Sequence, residues 1–303
     1  MKAPVTLTHD ALGTRFYIEI CDEVSPSILK KITHDTGLFL SQFEANYSRF
    51  LADSQVSILN RERFFLNPDP EFIAILKHGQ NLTKRSQGLF NMLLGSTLEA
   101  RGYDSDYSFV PSTTKQENFT VPNPLTDLEI NSSSITLRNG NLDLGGFGKG
   151  YVIDLLTIYL KITHNLKYFL INGGGDMYAT SNYGAPFTIY LEHPFEAQTY
   201  LGTTEILNQG FAASSPHKRS WIHNGTTHNH IIDTKPASIN SKLCDASFII
   251  ARNCVEADAF ATIALIIESI EFNQLAIKNK LAFATYNAPQ TFTTSATFVV
   301  QSL

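Results

Sequence analysis

The chain has 303 residues, of which 43% are hydrophobic and 17% charged, so it can bury a large core as a globular protein. Its formal net charge is only -5, and its lysines and arginines form no basic stripe, which argues against nucleic acid as the main partner. The three cysteines, Cys21, Cys244 and Cys254, lack the spacing of zinc or redox motifs, so we expect buried free thiols.

Targeting and membrane segments leave no trace in the sequence. No apolar run reaches the roughly 18 residues of a membrane-spanning helix. The first ten residues contain no apolar stretch of the kind found in secretory signals. We therefore expect no transmembrane segment and a cytoplasmic protein, with a periplasmic, membrane-anchored location as the alternative if a leader was removed.

The predicted elements of the N-terminal part are one strand and two helices. Apolar residues alternate with polar ones over residues 16–20, as in a half-buried strand. Ser25 is a good N-cap and Pro26 suits the first helical position, so a helix is predicted to start there. A second helix is predicted over residues 71–87, ending at Gly88.

The central part is predicted to be a loop followed by hairpins. Residues 104–124 are rich in Ser, Thr, Asn, Asp and Pro, which indicates a long surface loop. Strands are predicted at residues 128–130 and 135–137. Asn-Gly at residues 139–140 is a favoured hairpin turn and would lead into a third strand at residues 142–144.

The C-terminal half is predicted to combine helices with short strands. A helix is predicted to follow the glycine-rich residues 145–150. Strands are predicted at residues 168–172, 187–192, 247–251, 281–285 and 297–300. Because strands, hairpins and helices are interspersed, we expect an α+β fold with largely antiparallel sheets packed with helices.

The glycine-rich loop is the first segment that could carry chemistry. Four of the six residues 145–150 are glycine, so the backbone can approach a ligand closely and the following helix offers its N-terminus to an anion. Lys149 could pair with a phosphate, which suits a nucleotide. The pattern matches neither the P-loop nor the dinucleotide fingerprint. A plain tight turn is therefore an interpretation as open as nucleotide binding.

A predicted helix start near residue 253 is the second such segment. Asn253 and Glu256 resemble a capping box, and Asp258 and Thr262 lie four residues apart on one helix face. Together with a backbone carbonyl, water and substrate phosphates, these two side chains could hold Mg²⁺. The alternative is structural, with the aspartate complementing the helix dipole and the threonine bonding to the preceding turn.

A histidine-rich stretch is the third. His223, His228 and His230 lie near Asp233, which invites a zinc interpretation, although the spacing is that of a strand and not of a metalloprotease helix. A single histidine acting as a general base fits equally well. Exposed histidines in a turn are the third possibility.

Seven segments, in chain order, resemble the FAD:protein FMN transferases of the ApbE type. They are Leu12-Gly13-Thr14, Tyr47-Ser48-Arg49-Phe50 with Asp53 and Asn60, Phe90-Asn91 with Gly95, Asp143 to Tyr151 with Asp154, Asn172 to Asp176, His230 to Asp233, and Ala257 to Ala264. One such fragment is a weak signal, whereas seven in the family's order are specific.

The resemblance implies an ApbE-like, T-fold-like architecture over residues 1–303, as a single flavin transferase domain or as two intertwined α/β subdomains. It implies Mg²⁺ held by Asp258, Thr262 and the backbone carbonyl of Gly146. It implies His230 as the catalytic base, with Asp258 as a helper. FAD contacts are implied for Leu12, Phe50, Leu89, Phe90, Asn91, Asp143, Lys149 and His230.

The activity implied by the resemblance is Mg²⁺-dependent transfer of FMN from FAD to a Thr or Ser hydroxyl of an acceptor flavoprotein subunit, with release of AMP. Two alternatives stay open. An FAD pyrophosphatase would use water in place of the protein hydroxyl. A non-catalytic FAD-binding protein is motivated by departures from the family pattern at Asn91 and Ala213; Thr234 departs from the pattern as well.

Overall fold

The computed structural model describes residues 3–103, 109–110, 120–217, 220–223, 226–229, 244–289 and 291–303. The chain divides into two compact units, each assembled from separate stretches of sequence. Unit 1 comprises Met1–Glu44, Phe147–Ser215 and Leu243–Leu303. Unit 2 comprises Ala45–Gly146 and Pro216–Lys242.

The helices and strands of the described residues follow in chain order. The helices are α1 (Pro26–Tyr47), α2 (Gln55–Glu62), α3 (Pro70–Arg85), α4 (Gly95–Ala100), α5 (Gly148–Thr163), α6 (Cys254–Ile263) and α7 (Ser269–Asn279). The strands are β1 (Val5–Ala11), β2 (Thr14–Ile20), β3 (Phe64–Leu66), β4 (Leu128–Ile130), β5 (Ser134–Leu137), β6 (Tyr168–Gly173), β7 (Asp176–Ser181), β8 (Phe187–Glu192), β9 (Tyr200–Ile206), β10 (Gly210–Ser214), β11 (Ser220–His223), β12 (Thr226–Asn229), β13 (Ala246–Ala251), β14 (Ala282–Asn287) and β15 (Thr291–Thr294).

Unit 1 is built on an eight-stranded sheet in the order β1-β2-β6-β7-β10-β13-β14-β15, with every neighbouring pair antiparallel. Helix α5 packs on β6 and β7, and α6 packs on β10 and β13. A second core, containing Phe187, Phe248 and Tyr286, includes residues of the β8-β9 hairpin. The sheet therefore supports both α5 and α6, which share contacts with β7.

Unit 2 contains α2, α3, α4 and two small antiparallel sheets, β3-β5-β4 and β11-β12. Its core includes Phe72, Ile75 and Leu76 of α3, all fully buried. Asp69 begins α3, because its carboxylate accepts the N–H of Phe72 at 2.7 Å. The strands of the small sheets are only three to four residues long, and connecting segments such as residues 89–94 also contribute to the core of this unit.

Most of the elements predicted from periodicity are present. The elements α3, β2, β4, β5, β6, β8, β13 and β14 lie within about two residues of the predicted bounds. Helix α1 starts at the predicted residue, whereas α5 starts at Gly148, inside the glycine-rich segment that it is predicted to follow. Together with the antiparallel pairing, they confirm the predicted α+β fold. Cys244 and Cys254 are buried free thiols as expected, whereas Cys21 is half-buried.

The strand predicted at residues 142–144 is wrong. The segment does not pair with β5, which instead lies between β3 and β4. The amide side chain of Asn60 takes the place of a strand partner: it accepts the N–H of Leu142 at 2.6 Å and donates to its carbonyl at 2.9 Å. Both backbone groups of Leu142 are therefore satisfied by a residue 82 positions away.

The strand predicted at residues 297–300 is also wrong. After β15 the chain turns, with the N–H of Phe298 donating to the carbonyl of Ser295 at 3.2 Å. Extended pairing resumes only as an isolated bridge between Thr203 and Gln301. The apolar residues of this segment predict a strand, but Phe298 lies in a turn and its side chain is buried there.

Several predictions fall on residues outside the described ranges. Of the predicted surface loop, residues 104–108 and 111–119 are not described, and neither are His230 and Asp233. Among the helices that are described, none combines the length and apolarity needed to cross a membrane.

The turn between β6 and β7 gives a test of whether the β6-β7 and β1-β2 hairpins of unit 1 constrain each other. Gly174 has φ +73°, and a Cβ there would lie 2.5 Å from Oγ1 of Thr14, in the neighbouring β1-β2 hairpin. Gly184 has nearly the same φ, +74°, but no atom within 4 Å of a Cβ. We expect Gly184→Ala to cost about 1 kcal/mol from left-handed backbone alone.

Gly174→Ala is expected to cost about 1–3 kcal/mol more than Gly184→Ala, because it adds a steric overlap to the same backbone cost. Urea unfolding of both variants measures the difference. Equal losses of unfolding free energy would show that Thr14 yields and that the two hairpins do not constrain each other.

Candidate active site

Helix α5 starts inside the glycine-rich loop, at Gly148. The N-cap residue is Phe147, which provides no side-chain hydrogen bond to the helix start. The N–H of Tyr151 donates to the carbonyl of Phe147 at 2.9 Å, so regular helical bonding begins there. The N-terminus of a helix carries a partial positive charge, which favours an anion beside it.

Lys149 lies in that first turn, between two buried carboxylates of unit 1. Its ammonium contacts the carboxylate of Asp176 and lies 3.7 Å from Oδ2 of Asp258. The side chains of Asp176 and Asp258 are only 4% and 6% exposed. With both carboxylates ionised, this cluster carries one excess negative charge, which a bound cation can neutralise.

A glycine turn places Asp176 in this cluster. Gly174 and Gly175 both have positive φ, as a two-residue hairpin turn with right-handed strand twist requires. The side chain of Asn172 accepts the N–H of Gly175 at 3.0 Å and reinforces the turn. Asp176 is the first residue of β7, paired with Gly173, so its carboxylate emerges directly after the turn.

Asp258 is positioned by a close contact between α5 and α6. The N–H of Gly150 donates to Oδ2 of Asp258 at 3.0 Å. A Cβ on Gly150 would lie 2.6 Å from both the carbonyl oxygen of Cys254 and Cα of Val255. Only glycine permits this approach, so Gly150 of the glycine loop serves the packing of the two helices.

Asp154, one turn after Gly150 on α5, binds the start of α6. Its two carboxylate oxygens accept the N–H groups of Cys254 at 2.8 Å and Val255 at 2.9 Å. Burial raises the pKa of Asp154 to about 7; the two N–H bonds act in the opposite direction, and the charges of Glu256 and Asp258 add to the rise.

Thr262 and Leu12 are the other predicted site residues in unit 1. Thr262 is half-buried on α6, one turn after Asp258, so the predicted shared face of the two side chains is present. Leu12 forms the β1-β2 turn with φ +53° and donates its N–H to the Glu44 side chain at 3.0 Å.

The residues of α6 fit a magnesium ion by the chemistry of their donor atoms. A carboxylate and a hydroxyl are hard oxygen ligands, and Mg²⁺ is usually held by one or two such groups plus water and substrate phosphates. Within the ranges that the structure describes, no group of three or more His, Cys, Asp or Glu side chains forms a metal cage.

In unit 2, Asp143 is held by a buried arginine. The guanidinium of Arg49 is 4% exposed, contacts the carboxylate of Asp143 and donates to the carbonyl of Tyr103 at 2.7 Å. It also stacks over the ring of Phe50, with Cζ 4.2 Å from the ring centroid. Asp143 in addition accepts the N–H of Gly145, so it shapes the start of the glycine loop.

The remaining predicted residues of unit 2 are largely engaged inside that unit. Leu89 and Phe90 are buried, and a Cβ on Gly146 would lie 3.6 Å from the Phe90 ring. The Asn91 amide donates to the carbonyl of Pro122 at 2.7 Å and accepts the N–H of Leu93 at 2.9 Å. The contact with Pro122 depends on the amide, because a carboxylate at this position would have no N–H donor.

The roles of Asp154, Asp176 and Arg49 were not predicted from the sequence. All three lie within the segments that resemble the ApbE type, but nothing local assigned them partners. Asp154 and Asp176 had detectable signals: one lies four residues after Gly150, and the other directly follows the glycine turn. Arg49 is a charged residue next to the aromatic Phe50, which gave no sign of burial.

The fold resembles solved structures over nearly its whole length. The ApbE protein of Thermotoga maritima is 20% identical, with a TM-score of 0.82 and coverage of 97% of both chains. The flavinyl transferase ApbE of Pseudomonas stutzeri is 19% identical, with a TM-score of 0.80 and coverage of 96% of this chain and 94% of that one. These similarities confirm the ApbE-like architecture.

The chain belongs to the ApbE family, whose model matches residues 12–284. Curated relatives named FAD:protein FMN transferase include one from Rhodobacter capsulatus, 27% identical over 203 residues, and one from Klebsiella pneumoniae, 24% identical over 252 residues. These matches cover 64% and 79% of this chain, and 38% and 78% of the respective relatives. The chain thus spans well under half of the Rhodobacter protein.

The raised pKa of Asp154 predicts a pH-dependent contribution to stability. An aspartate titrates near 3.9 in the unfolded chain and near 7 in the folded one, so the folded state holds the proton more tightly between these values. The unfolding free energy of the wild type relative to Asp154→Asn should therefore fall as the pH rises from about 5 to about 7 and level off above.

Urea unfolding of both proteins at half-unit pH steps measures this difference, and common titrations cancel in the subtraction. A difference that stays constant from pH 5 to 8 would contradict the raised pKa.

Proposed function

We propose that this chain transfers the FMN half of FAD to a threonine or serine hydroxyl of an acceptor flavoprotein, with release of AMP. Membership in the ApbE family supports the proposal, since curated relatives are named FAD:protein FMN transferase. FAD is the substrate and the acceptor flavoprotein subunit is the partner.

The observation that carries the proposal is the charge cluster at the start of α5. Lys149 offers an ammonium in the first turn of α5, beside the positive end of the helix dipole, and both features suit the diphosphate of FAD. Asp258 offers a buried carboxylate within 3.7 Å of that ammonium. Phosphoryl transfer requires positive charge around the diphosphate, which the Lys149 ammonium and a metal ion bound by Asp258 would supply.

Mg²⁺ would be held by the Asp258 carboxylate and the Thr262 hydroxyl, while the Gly146 carbonyl as a further ligand stays a prediction of the resemblance. When bound, the ion would neutralise the negative charge that develops on the diphosphate.

The transfer exchanges one bond to phosphorus for another. The acceptor oxygen bonds to the phosphorus on the riboflavin side, the bond from that phosphorus to the bridging oxygen breaks, and AMP leaves with the bridging oxygen. Lys149 holds the diphosphate and offsets the negative charge on the departing AMP. His230, which lies outside the described residues, is proposed to take the hydroxyl proton, with Asp258 assisting.

The direct test is incubation with FAD, Mg²⁺ and peptides that contain a central threonine or serine, followed by mass spectrometry. A mass gain of one FMN on a peptide, with AMP released, is the expected result. Free FMN with unmodified peptide would instead establish an FAD pyrophosphatase. FAD bound but uncleaved would establish a non-catalytic FAD-binding protein.

Two variants test the residue roles in the same assay. Lys149→Met should lower the transfer rate by about 100-fold or more, as expected when one charge-stabilising donor is removed. Lys161→Met is the matched control, because Lys161 lies in the last turn of the same helix and contacts the Tyr178 ring. His230→Ala with an unchanged rate would contradict the proposed base.

A further inference from the structure

Two different side chains cap the first turn of α6. Asn253 is the local cap, since its side chain accepts the N–H of Glu256 at 3.2 Å. Asp154 is a cap from another helix, which accepts the two preceding N–H groups, those of Cys254 and Val255. The Asn253 cap stabilises α6 as a helix. Of the two caps, only that from Asp154 also links α6 to α5.

The Asp154 contact constrains the orientation of α6. Each carboxylate oxygen accepts one N–H, and two bonds to successive residues fix both the distance of the helix and its rotation about its axis. Cys254, Asp258 and Thr262 are spaced four residues apart, so they lie along one face. The rotation set at Cys254 therefore determines where Asp258 and Thr262 point.

The same face of α5 makes the neighbouring contact. Gly150 lies one turn before Asp154, donates to the Asp258 carboxylate, and approaches the backbone of Cys254 too closely for any other residue. Asp154 and Gly150 thus act on α6 at two points separated by one helical turn. Lys149 belongs to the same turn of α5, so its place relative to Asp258 depends on this contact.

We propose that Asp154 is a positioning residue for the metal-binding pair Asp258 and Thr262, acting through the first turn of α6. The inference rests on the proposed function, in which these two residues hold Mg²⁺. Magnesium tolerates little deviation from octahedral geometry at 2.0–2.1 Å, so a small rotation of α6 should weaken binding. Losing a residue that orients metal ligands typically lowers metal affinity about 10–100-fold.

The test compares Asp154→Ala with Asn253→Ala, which removes the local cap and leaves the link between α5 and α6. Binding of Mn²⁺ as a probe, in the presence of FAD and without acceptor peptide, is followed by electron paramagnetic resonance and gives the affinity without transfer. We expect Asp154→Ala to weaken Mn²⁺ binding about tenfold or more and Asn253→Ala less than about threefold. Thermal melting of both variants shows whether their losses of stability are comparable.

Asp154→Asn is the second variant if the alanine variant does not fold, since it keeps one acceptor oxygen and should weaken binding by an intermediate factor. Equal Mn²⁺ affinities of the wild type and the Asp154 variants, or equal weakening by Asn253→Ala, would overturn the positioning role. No Mn²⁺ binding by the wild type would overturn the metal part of the proposed function as well. The transfer assay reports on the activity independently.

Discussion

The close contact between the first turns of α5 and α6 is the constraint on which the candidate site depends. Gly150 lets the two backbones approach, donates to Asp258, and lies one turn before Asp154, which binds the start of α6. The sheet supports both helices, with β6 and β7 under α5 and β7, β10 and β13 under α6. The contact between the helices therefore depends on the sheet order as much as on the glycine.

Concentrating acidic groups at this contact has an energetic cost. Asp176 and Asp258 are both buried around a single ammonium, and burial raises the pKa of nearby Asp154 to about 7. Buried carboxylates without full compensation destabilise a fold. A bound divalent cation and a diphosphate would change that balance, because the cation offsets the carboxylates and Lys149 with the helix N-terminus offsets the phosphates. The charges that destabilise the free protein are thus those that the proposed ligands would neutralise.

The sequence predicted elements with strong periodicity and failed where long-range contacts decide. Alternation identified β2, and the capping signals of Ser25-Pro26 and Asn253 located the starts of α1 and α6. The segment around Leu142 was assigned to a strand because nothing local reveals that Asn60 satisfies its backbone. The site shows the same division: Lys149 and Asp258 follow from motif positions, whereas the partnership of Asp154 with Cys254 spans 100 residues and needed the fold.

The measurement that tests the proposed site most directly is the anomalous diffraction of crystals grown with FAD and Mn²⁺ in place of Mg²⁺. The expected result is an anomalous peak about 2.2 Å from a carboxylate oxygen of Asp258, with Thr262 beside it. The FAD diphosphate should lie within hydrogen-bond distance, about 2.9 Å, of Lys149 Nζ. A manganese peak away from α6, or FAD bound with its diphosphate remote from Lys149, would contradict the assignment of this cluster as the site of transfer.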